Sequence, residues 1–318
     1  MSPPAPPETI ALLSNPGAGR GDALRQIERA RRALAGRDLE ILHPRTPAEV
    51  TAFCRALDPR RHLAAVVLGG DGTCNHAIRG LRTSGVPLYP FPVGLANDLH
   101  SRSGIRADWH QARALIANRR VKHQPLLLVN GLPIATVGGL GGPADIVERF
   151  DTLRQGSRVG HAAVAWAGMQ TYALVGAATV LRAGPLHRKV RMRIWADDRE
   201  TSPREEIATL GGLFVCVQAV LGGTLKLSPG PAPEAGFSVV AIPARGRVRQ
   251  LEQLTRVRFG LPGDDFHRFG ATRLEVAALD GRPLTVFGDG EQLTAAETLR
   301  FERSPTPLAV FTASAAQP

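Results

Sequence analysis

Three short stretches of the chain concentrate residue types suited to binding phosphate. They are Asn15-Pro16-Gly17-Ala18-Gly19-Arg20-Gly21, Gly69-Gly70-Asp71-Gly72-Thr73 and Pro92-Val93-Gly94-Leu95-Ala96-Asn97-Asp98. Each joins an apolar run to a stretch with helical patterning. Glycine lets a backbone approach a ligand closely and adopt positive φ, while a helix N-terminus offers unpaired N–H groups to an anion. One such turn is an ordinary connector, but three of the same kind point to a phosphate-bearing ligand. Two familiar phosphate motifs are excluded. The first stretch has no Gly-Lys-Ser/Thr ending, and its glycines do not have the Gly-x-Gly-x-x-Gly spacing of a dinucleotide fold.

The elements that must position these turns follow from periodicity. Residues 9–13, 39–42, 64–68 and 88–91 read as strands, and 22–36, 47–57, 74–81 and 108–118 as helices. Asp22 is the expected N-cap of the first helix, with Leu24, Ile27 and Leu34 on its apolar face, and Pro47 falls in the first turn of the second. Strands alternating with helices predict a parallel, doubly wound α/β sheet, in which ligands bind beyond the carboxyl ends of the strands. All three glycine turns lie at that edge. After residue 121 the texture changes to apolar runs bounded by Gly and Pro, at 125–129, 133–137, 190–195, 212–218, 237–242, 271–277 and 284–287. These predict a largely antiparallel sheet or β-sandwich, with one short helix near 250–260. The tail after Arg303 reads as loosely held, although residues 308–311 are apolar enough to add a strand to either half.

Composition sets wider bounds. With 318 residues, 43% of them hydrophobic, the chain can bury two sizeable cores. A net charge of +11 favours anionic partners, whether nucleotides, nucleic acid or acidic lipid head groups. The excess is carried by arginine, since lysine occurs only at positions 122, 189 and 226. Three cysteines without metal-ligand spacing suggest neither a disulfide framework nor a zinc site and fit a reducing cytoplasm. The opening residues lack the basic and apolar regions of a signal peptide and read as a disordered arm. Residues 162–181 are long and uncharged enough to raise a membrane span, but they are rich in Ala and Gly and interrupted by Gln170 and Thr171. A buried or half-buried helix is the expectation there.

The ordered set NPGAG, GGDGTCN and PVGLAND resembles the nucleotide-binding loops of the diacylglycerol kinase catalytic-domain family, which includes sphingosine kinases and bacterial lipid kinases and shares a fold with NAD kinases. The likeness continues through VGGLGGPADIVERF, VGHAAVAWAGMQTYAL, LGGTLKLSPGPAPEAGFSVV and FGDGEQL. It implies a nucleotide-binding α/β domain over 9–122 and a β-sandwich lipid-kinase domain over 123–302, with an arm at 1–8, a tail at 303–318 and the active site in the inter-domain cleft. It implies further that Gly69, Gly70, Asp71, Gly72, Thr73 and Asn75 hold the ATP phosphates. Asn15, Gly17 and Gly19 would line the same pocket, which Gly94, Asn97 and Asp98 close. Asp289 would be the general base, and Asp71 and Glu291 would serve Mg²⁺ or nucleotide. For Asp289, Asp-Gly between apolar runs is also a strong hairpin signal, and both roles can hold at once.

Several positions depart from the family pattern. His76 stands where an acidic residue is usual, Leu95 replaces a threonine, His43 takes the place of a threonine for which Thr46 is a near substitute, and Ala235 replaces an aspartate that helps hold a structural magnesium. His76 could donate to a phosphate, but the plainer reading places it on the wall or surface from the first helical turn. The expected activity is ATP- and Mg²⁺-dependent phosphorylation of a diacylglycerol-like or sphingoid-like hydroxyl, at an anionic membrane surface reached from the cytoplasm. The alternatives are a kinase of a soluble alcohol or dinucleotide, and a catalytically degenerate nucleotide- or lipid-binding protein. No aromatic-rich basic stripe supports specific nucleic-acid binding, and the sequence leaves oligomeric state open.

Overall fold

The computed structural model describes residues 8–14, 23–93, 98–142, 144, 187–197, 201–217, 232–259, 261–289 and 291–313. Contacts divide the chain into two compact units, residues 1–125 with 305–318 and residues 126–304. The segment 162–181, like the first glycine turn and most of the third, lies outside the described residues.

The first unit runs β1 (Thr9–Ser14), α1 (Ala23–Ala33), β2 (Leu39–Leu42), α2 (Pro47–Ala56), β3 (His62–Gly69), α3 (Asp71–Ser84), β4 (Leu88–Pro92), α4 (Asp98–Ser103), α5 (Trp109–Ala117) and β5 (Val121–Gln124). Residues of β1 and β3 are buried along their whole length, as expected of strands covered on both faces of a parallel sheet. Strand β1 lies between β2 and β3, parallel to both, and β4 continues the sheet beside β3. On α1 the buried stripe is Ile27, Ala30 and Leu34, while Leu24 is 77% exposed and so does not join the apolar face expected of it. At 100° per residue Leu24 sits about 90° from the centre of that stripe, and Ala30 takes its place. Thr46 caps α2, its hydroxyl accepting from Glu49 N at 3.2 Å while the Glu49 carboxylate accepts from Arg45 N at 2.8 Å. This reciprocal cap is worth about 1 kcal/mol and engages the hydroxyl read as a substitute for the family threonine.

The second unit runs β6 (Leu127–Val129), β7 (Leu132–Ile134), β8 (Val137–Gly141), β9 (Arg188–Trp195), β10 (Arg204–Cys216), β11 (Phe237–Pro243), α6 (Arg247–Phe259), β12 (His267–Ala271), β13 (Arg273–Ala278), β14 (Leu284–Gly288), β15 (Glu291–Ala296) and β16 (Thr298–Arg303). Its eleven described strands belong to one antiparallel sheet, β15-β14-β8-β10-β9-β13-β16-β6-β7, with β11 on β10 and β12 on β11. The sheet branches on β10, whose first half pairs with β9 and whose second half pairs with β8 and β11. Side chains from both limbs, among them Leu140, Met192, Leu213, Val239, Leu274, Val286 and Phe301, fill one core. The two layers expected of a sandwich are thus limbs of a continuous sheet. A smaller core joins Val257 of α6 to Phe214, Val240 and Phe287.

The chain returns to the first unit as β17 (Leu308–Phe311), parallel to β4 and antiparallel to β5. Leu308, Val310 and Phe311 are fully buried, and Phe311 packs on Tyr89 with ring centroids 5.8 Å apart. Residues 308–313 are therefore tied into the core rather than loosely held. Thr312 N donates to Arg120 O and Ala313 N to Ser103 O. The run at 271–277 is two strands rather than one, broken at Thr272, whose N–H donates to Trp195 O at 2.8 Å.

Candidate functional site

In the first unit the site is built where β3 turns into α3. Gly70 is the N-cap, extended at φ −94° and ψ −171°, and has no side chain with which to satisfy the first-turn amides. Gly69 has a packing reason to be glycine, because a Cβ there would stand 2.5 Å from the Cβ of Thr73. The tightness of the turn therefore requires one of the glycines read as phosphate ligands. Asp71 opens α3, and the first turn of α4 comes to meet it. Its Oδ1 accepts from Leu99 N, in the first turn of α4, at 3.4 Å, and its side chain is 15% exposed.

Asn75 is buried, and its carbonyl accepts from Arg79 Nε at 3.2 Å, an i,i+4 bond along α3. That oxygen serves the helix itself. His76 is half-buried; burial first and the Arg79 charge second hold its pKa below the usual value. The His76 main-chain carbonyl accepts from Thr51 Oγ1 at 2.9 Å, where α2 and α3 pack closely. A Cβ on Gly80 would lie 2.4 Å from Thr51 O, so this helix pair also depends on a glycine. Gly70, Gly72 and Thr73 are partly exposed around the turn. Asp98 begins α4, whereas Asn15, Gly17, Gly19, Gly94, Leu95 and Asn97 lie outside the described residues.

The sequence reading stopped at Asp98 and missed His100. This residue is 1% exposed. Its Nδ1 lies 4.0 Å from Asp71 Oδ1, and burial pushes its pKa down to about 4. The one signal available in sequence was its position in the first turn after Asn97-Asp98.

In the second unit Asp289 occupies the turn between β14 and β15, at φ +53°. The left-handed region is uncommon for a residue with a side chain, although Asn and Asp tolerate it best. The hairpin reading is therefore right as far as it goes. The carboxylate is 8% exposed and is gripped by the connection between β7 and β8. Oδ1 accepts from Thr136 N and Thr136 Oγ1, both at 2.7 Å, and Ala135 N donates to both oxygens at 3.2 and 3.0 Å. In return, Asp289 N donates to Val137 O at 2.9 Å. Beside it, Gly139 on β8 leaves no room for a side chain, because a Cβ would stand 2.3 Å from Leu213 O. Glu291 is partly exposed at the start of β15, opposite Gly288.

Ala235 lies on the wall of a cavity of about 240 Å³ with Trp195, Asp197, Thr272, Arg273, Glu302 and Arg303. Gly236 next to it is fixed by packing, since a Cβ would fall 2.4 Å from Ala271 O. Among the described residues no group of three or more His, Cys, Asp or Glu is placed to hold a metal ion. Mg²⁺ commonly takes one or two carboxylates and completes its shell with phosphate oxygens and water, so a single partly exposed carboxylate such as Asp71 fits that donor set. Among the described residues no helix is long and apolar enough to cross a membrane.

Comparison with known proteins agrees with this arrangement. Residues 9–129 match the family model of the diacylglycerol kinase catalytic domain. No curated protein matches the chain. A structure from Bacillus anthracis, described as that of a candidate diacylglycerol kinase, superposes with a TM-score of 0.71 at 19% identity, covering 97% of this chain and 99% of that one. A second, described in the same way, gives 0.69 at 19% identity over 96% and 97%. A third, described as a diacylglycerol kinase from the same organism, gives 0.65 at 17% over 96% and 97%. At these identities the likeness shows the fold, a parallel α/β unit followed by an antiparallel sheet unit. Over residues 9–129 the chain is similar in sequence to the diacylglycerol kinase catalytic domain.

Proposed function

We propose that the protein transfers the γ-phosphoryl group of ATP to a lipid hydroxyl, with Asp289 as the general base. The observation that carries this reading is the setting of Asp289. A carboxylate is buried at a left-handed turn and oriented by two main-chain amides and a hydroxyl. Strained positions of this kind persist where the surroundings over-determine them and gather at functional sites. In the reaction the acceptor oxygen bonds to the γ-phosphorus as the bridging bond to the β-phosphate breaks. The hydroxyl proton passes to Asp289 Oδ2, since Oδ1 already takes both Thr136 donors, and ADP leaves. The amides at the start of α3 suit the donor phosphates, and Asp71 suits Mg²⁺. Mg²⁺, when bound, supplies charge neutralisation at the transferring group. The family match supports a lipid acceptor, with diacylglycerol-like and sphingoid-like alcohols as the candidates.

The test is incubation with γ-labelled ATP, Mg²⁺ and a total lipid extract, for the wild type, Asp289→Asn and Asp71→Asn. The reading expects label in a lipid from the wild type, a loss of about a hundredfold or more for Asp289→Asn with ATP binding kept, and weakened ATP binding for Asp71→Asn. Label in a water-soluble acceptor alone would replace the lipid by a soluble alcohol. ATP binding with no acceptor labelled would make the chain a binding protein.

A further inference from the structure

Helix α4 is only six residues long, Asp98–Ser103. A helix of that length is not stable by itself in water, so its place is set by what holds it. Leu99, His100 and Ser103 are buried at 3%, 1% and 0% exposure. The last carbonyls of a helix have no partners within it and must find them elsewhere. Here Ser103 Oγ donates to Leu99 O at 3.1 Å and Ile105 N donates to His100 O at 3.2 Å. The Ser103 carbonyl is taken by a segment near the other end of the chain. Ala313 N donates to it at 2.7 Å and Thr312 Oγ1 at 3.2 Å, the threonine lying 209 residues further on.

Residues 312 and 313 are themselves firmly placed. Phe311, just before them, is fully buried in β17, Thr312 is 8% exposed, and Thr312 N donates to Arg120 O at 2.9 Å. The other end of α4 reaches the turn after β3. Leu99 N donates to Asp71 Oδ1 at 3.4 Å, and His100 Nδ1 lies 4.0 Å from the same oxygen. At 3.4 Å the Leu99 bond is long, so a small shift of α4 decides whether it is made. The returning end of the chain is thereby connected, through one short helix, to the carboxylate at position 71.

We propose that Thr312, together with the Ala313 amide, is a positioning residue for the nucleotide turn. By holding Ser103 O it fixes the C-terminal end of α4, and α4 in turn holds Leu99 N against Asp71. Thr312 acts through the helix and not on the ligand. A carboxylate that serves an ion works in one orientation, and the groups that orient it matter nearly as much as the carboxylate itself. The proposal rests on the reading of Asp71 as the residue that serves nucleotide and Mg²⁺. An ordinary helix cap would make the same bonds at Ser103. What separates the two roles is whether loosening the cap is felt at Leu99 and in the binding of nucleotide.

The test compares three variants of the full chain. Thr312→Val removes the hydroxyl donor at nearly constant volume, Thr312→Val/Ala313→Pro removes both donors, and Thr312→Ser restores the hydroxyl. Binding of ATP in the presence of Mg²⁺ and amide hydrogen exchange at Leu99 without nucleotide are measured on each, with thermal melts to show that the chain is folded. Expected is an ATP dissociation constant raised about tenfold in the double variant and about threefold in Thr312→Val. Leu99 exchange should quicken by similar factors, and Thr312→Ser should match wild type in both. Unchanged ATP affinity in a folded double variant overturns the proposal whatever the melt shows, as does Leu99 exchange equal to wild type. If Ala313→Pro unfolds the chain, Thr312→Val carries the test with the same two outcomes. Absence of ATP binding by wild type would instead sink the kinase reading. Faster Leu99 exchange in the variants would then still uphold the link from Thr312 to the Asp71 turn, and unaltered exchange would overturn it.

Discussion

The tripeptide Gly-Asp-Gly occurs at 70–72 and again at 288–290, and the two copies fold in opposite ways. In the first unit Asp71 is the opening residue of a helix, partly exposed, and accepts from the Leu99 backbone amide at 3.4 Å. In the second unit Asp289 sits at positive φ in a hairpin, buried, and engages three donors at 2.7–3.0 Å. The residues that follow explain the divergence. After Gly72 come Thr-Cys-Asn-His-Ala-Ile, with buried Cys74, Ala77 and Ile78 at helical spacing. After Gly290 come Glu-Gln-Leu-Thr, which pair as a strand against β14. Identical local chemistry thus gives a partly exposed carboxylate in one place and a clamped one in the other, and in the second unit the clamp ties the carboxylate's geometry to stability.

The largest effect expected is at the clamp. Asp289→Ala leaves Ala135 N, Thr136 N and Thr136 Oγ1 without their acceptor and should cost about 3 kcal/mol or more of unfolding free energy. Asp289→Asn keeps an acceptor and tolerates the left-handed turn, so it should lose well under half of that. Denaturant melts of both variants decide the matter, and equal losses would mean that the negative charge, not the geometry, holds the turn. Asp71→Ala, which removes a partly exposed carboxylate, should by contrast cost less than Asp289→Ala in the same melts.

The glycines beside the two turns sharpen the contrast. Gly69→Ala drives a Cβ to 2.5 Å from the branched Cβ of Thr73, which has little freedom in the first turn of a helix. Gly288→Ala meets the far end of Leu293 at 2.5 Å, which can rotate away, and Cγ1 of Ile134 at 2.7 Å. We expect about 2–3 kcal/mol for the first and about 1 for the second, measured by the same melts. The reverse order would show that the hairpin is the more rigid of the two.

Behind Asp71, His100 is 1% exposed, and burial pushes its pKa down to about 4. A histidine lowered on folding costs stability as pH falls below its unfolded value, so wild type should lose stability relative to His100→Leu between about pH 6.5 and pH 4 in melts. A gap that does not change with pH would show that the ring is not held neutral.

The smallest effect is expected at Asp280, before the other end of β14, where a guanidinium replaces amide donors. Its carboxylate accepts from Arg188 Nε at 2.9 Å and Nη2 at 3.0 Å, and these bonds lower its pKa from 3.8 to about 2. A carboxyl lowered on folding adds stability above its unfolded value and loses it as pH falls through the folded one. The stability gap between wild type and Arg188→Ala should therefore shrink between about pH 4 and pH 2 in acid-titrated melts.

Much of the first unit was legible in the sequence because a parallel sheet buried on both faces writes itself as uninterrupted apolar runs. Residues 9–13 and 64–68 fell within observed strands for that reason. Strands with one solvated face were harder. The first half of β10, Arg-Glu-Glu-Ile-Ala-Thr-Leu, alternates charge with apolar residues and pairs its charges across to β9, as Glu205 does with Arg193 at 2.7 Å. Strands β15 and β16 escaped notice for the same cause. Of the candidate site, residue types at Asp71 and Asp289 drew attention, while His100 did not, because the burial of a histidine leaves no mark in the sequence.

The sequence by itself determined the element types of the first unit, the turn at Asp289 and the resemblance to a kinase catalytic domain, since these follow from local periodicity, turn chemistry and ordered motifs. Tertiary structure alone decided that Gly69 makes room for Thr73, that Ala135 and Thr136 clamp Asp289 across more than 150 residues of chain, and that α6 turns its glutamines inward. Each of these depends on which distant backbone comes near. Contact between residues far apart in the chain is a property of the packed fold, and no window of sequence contains it.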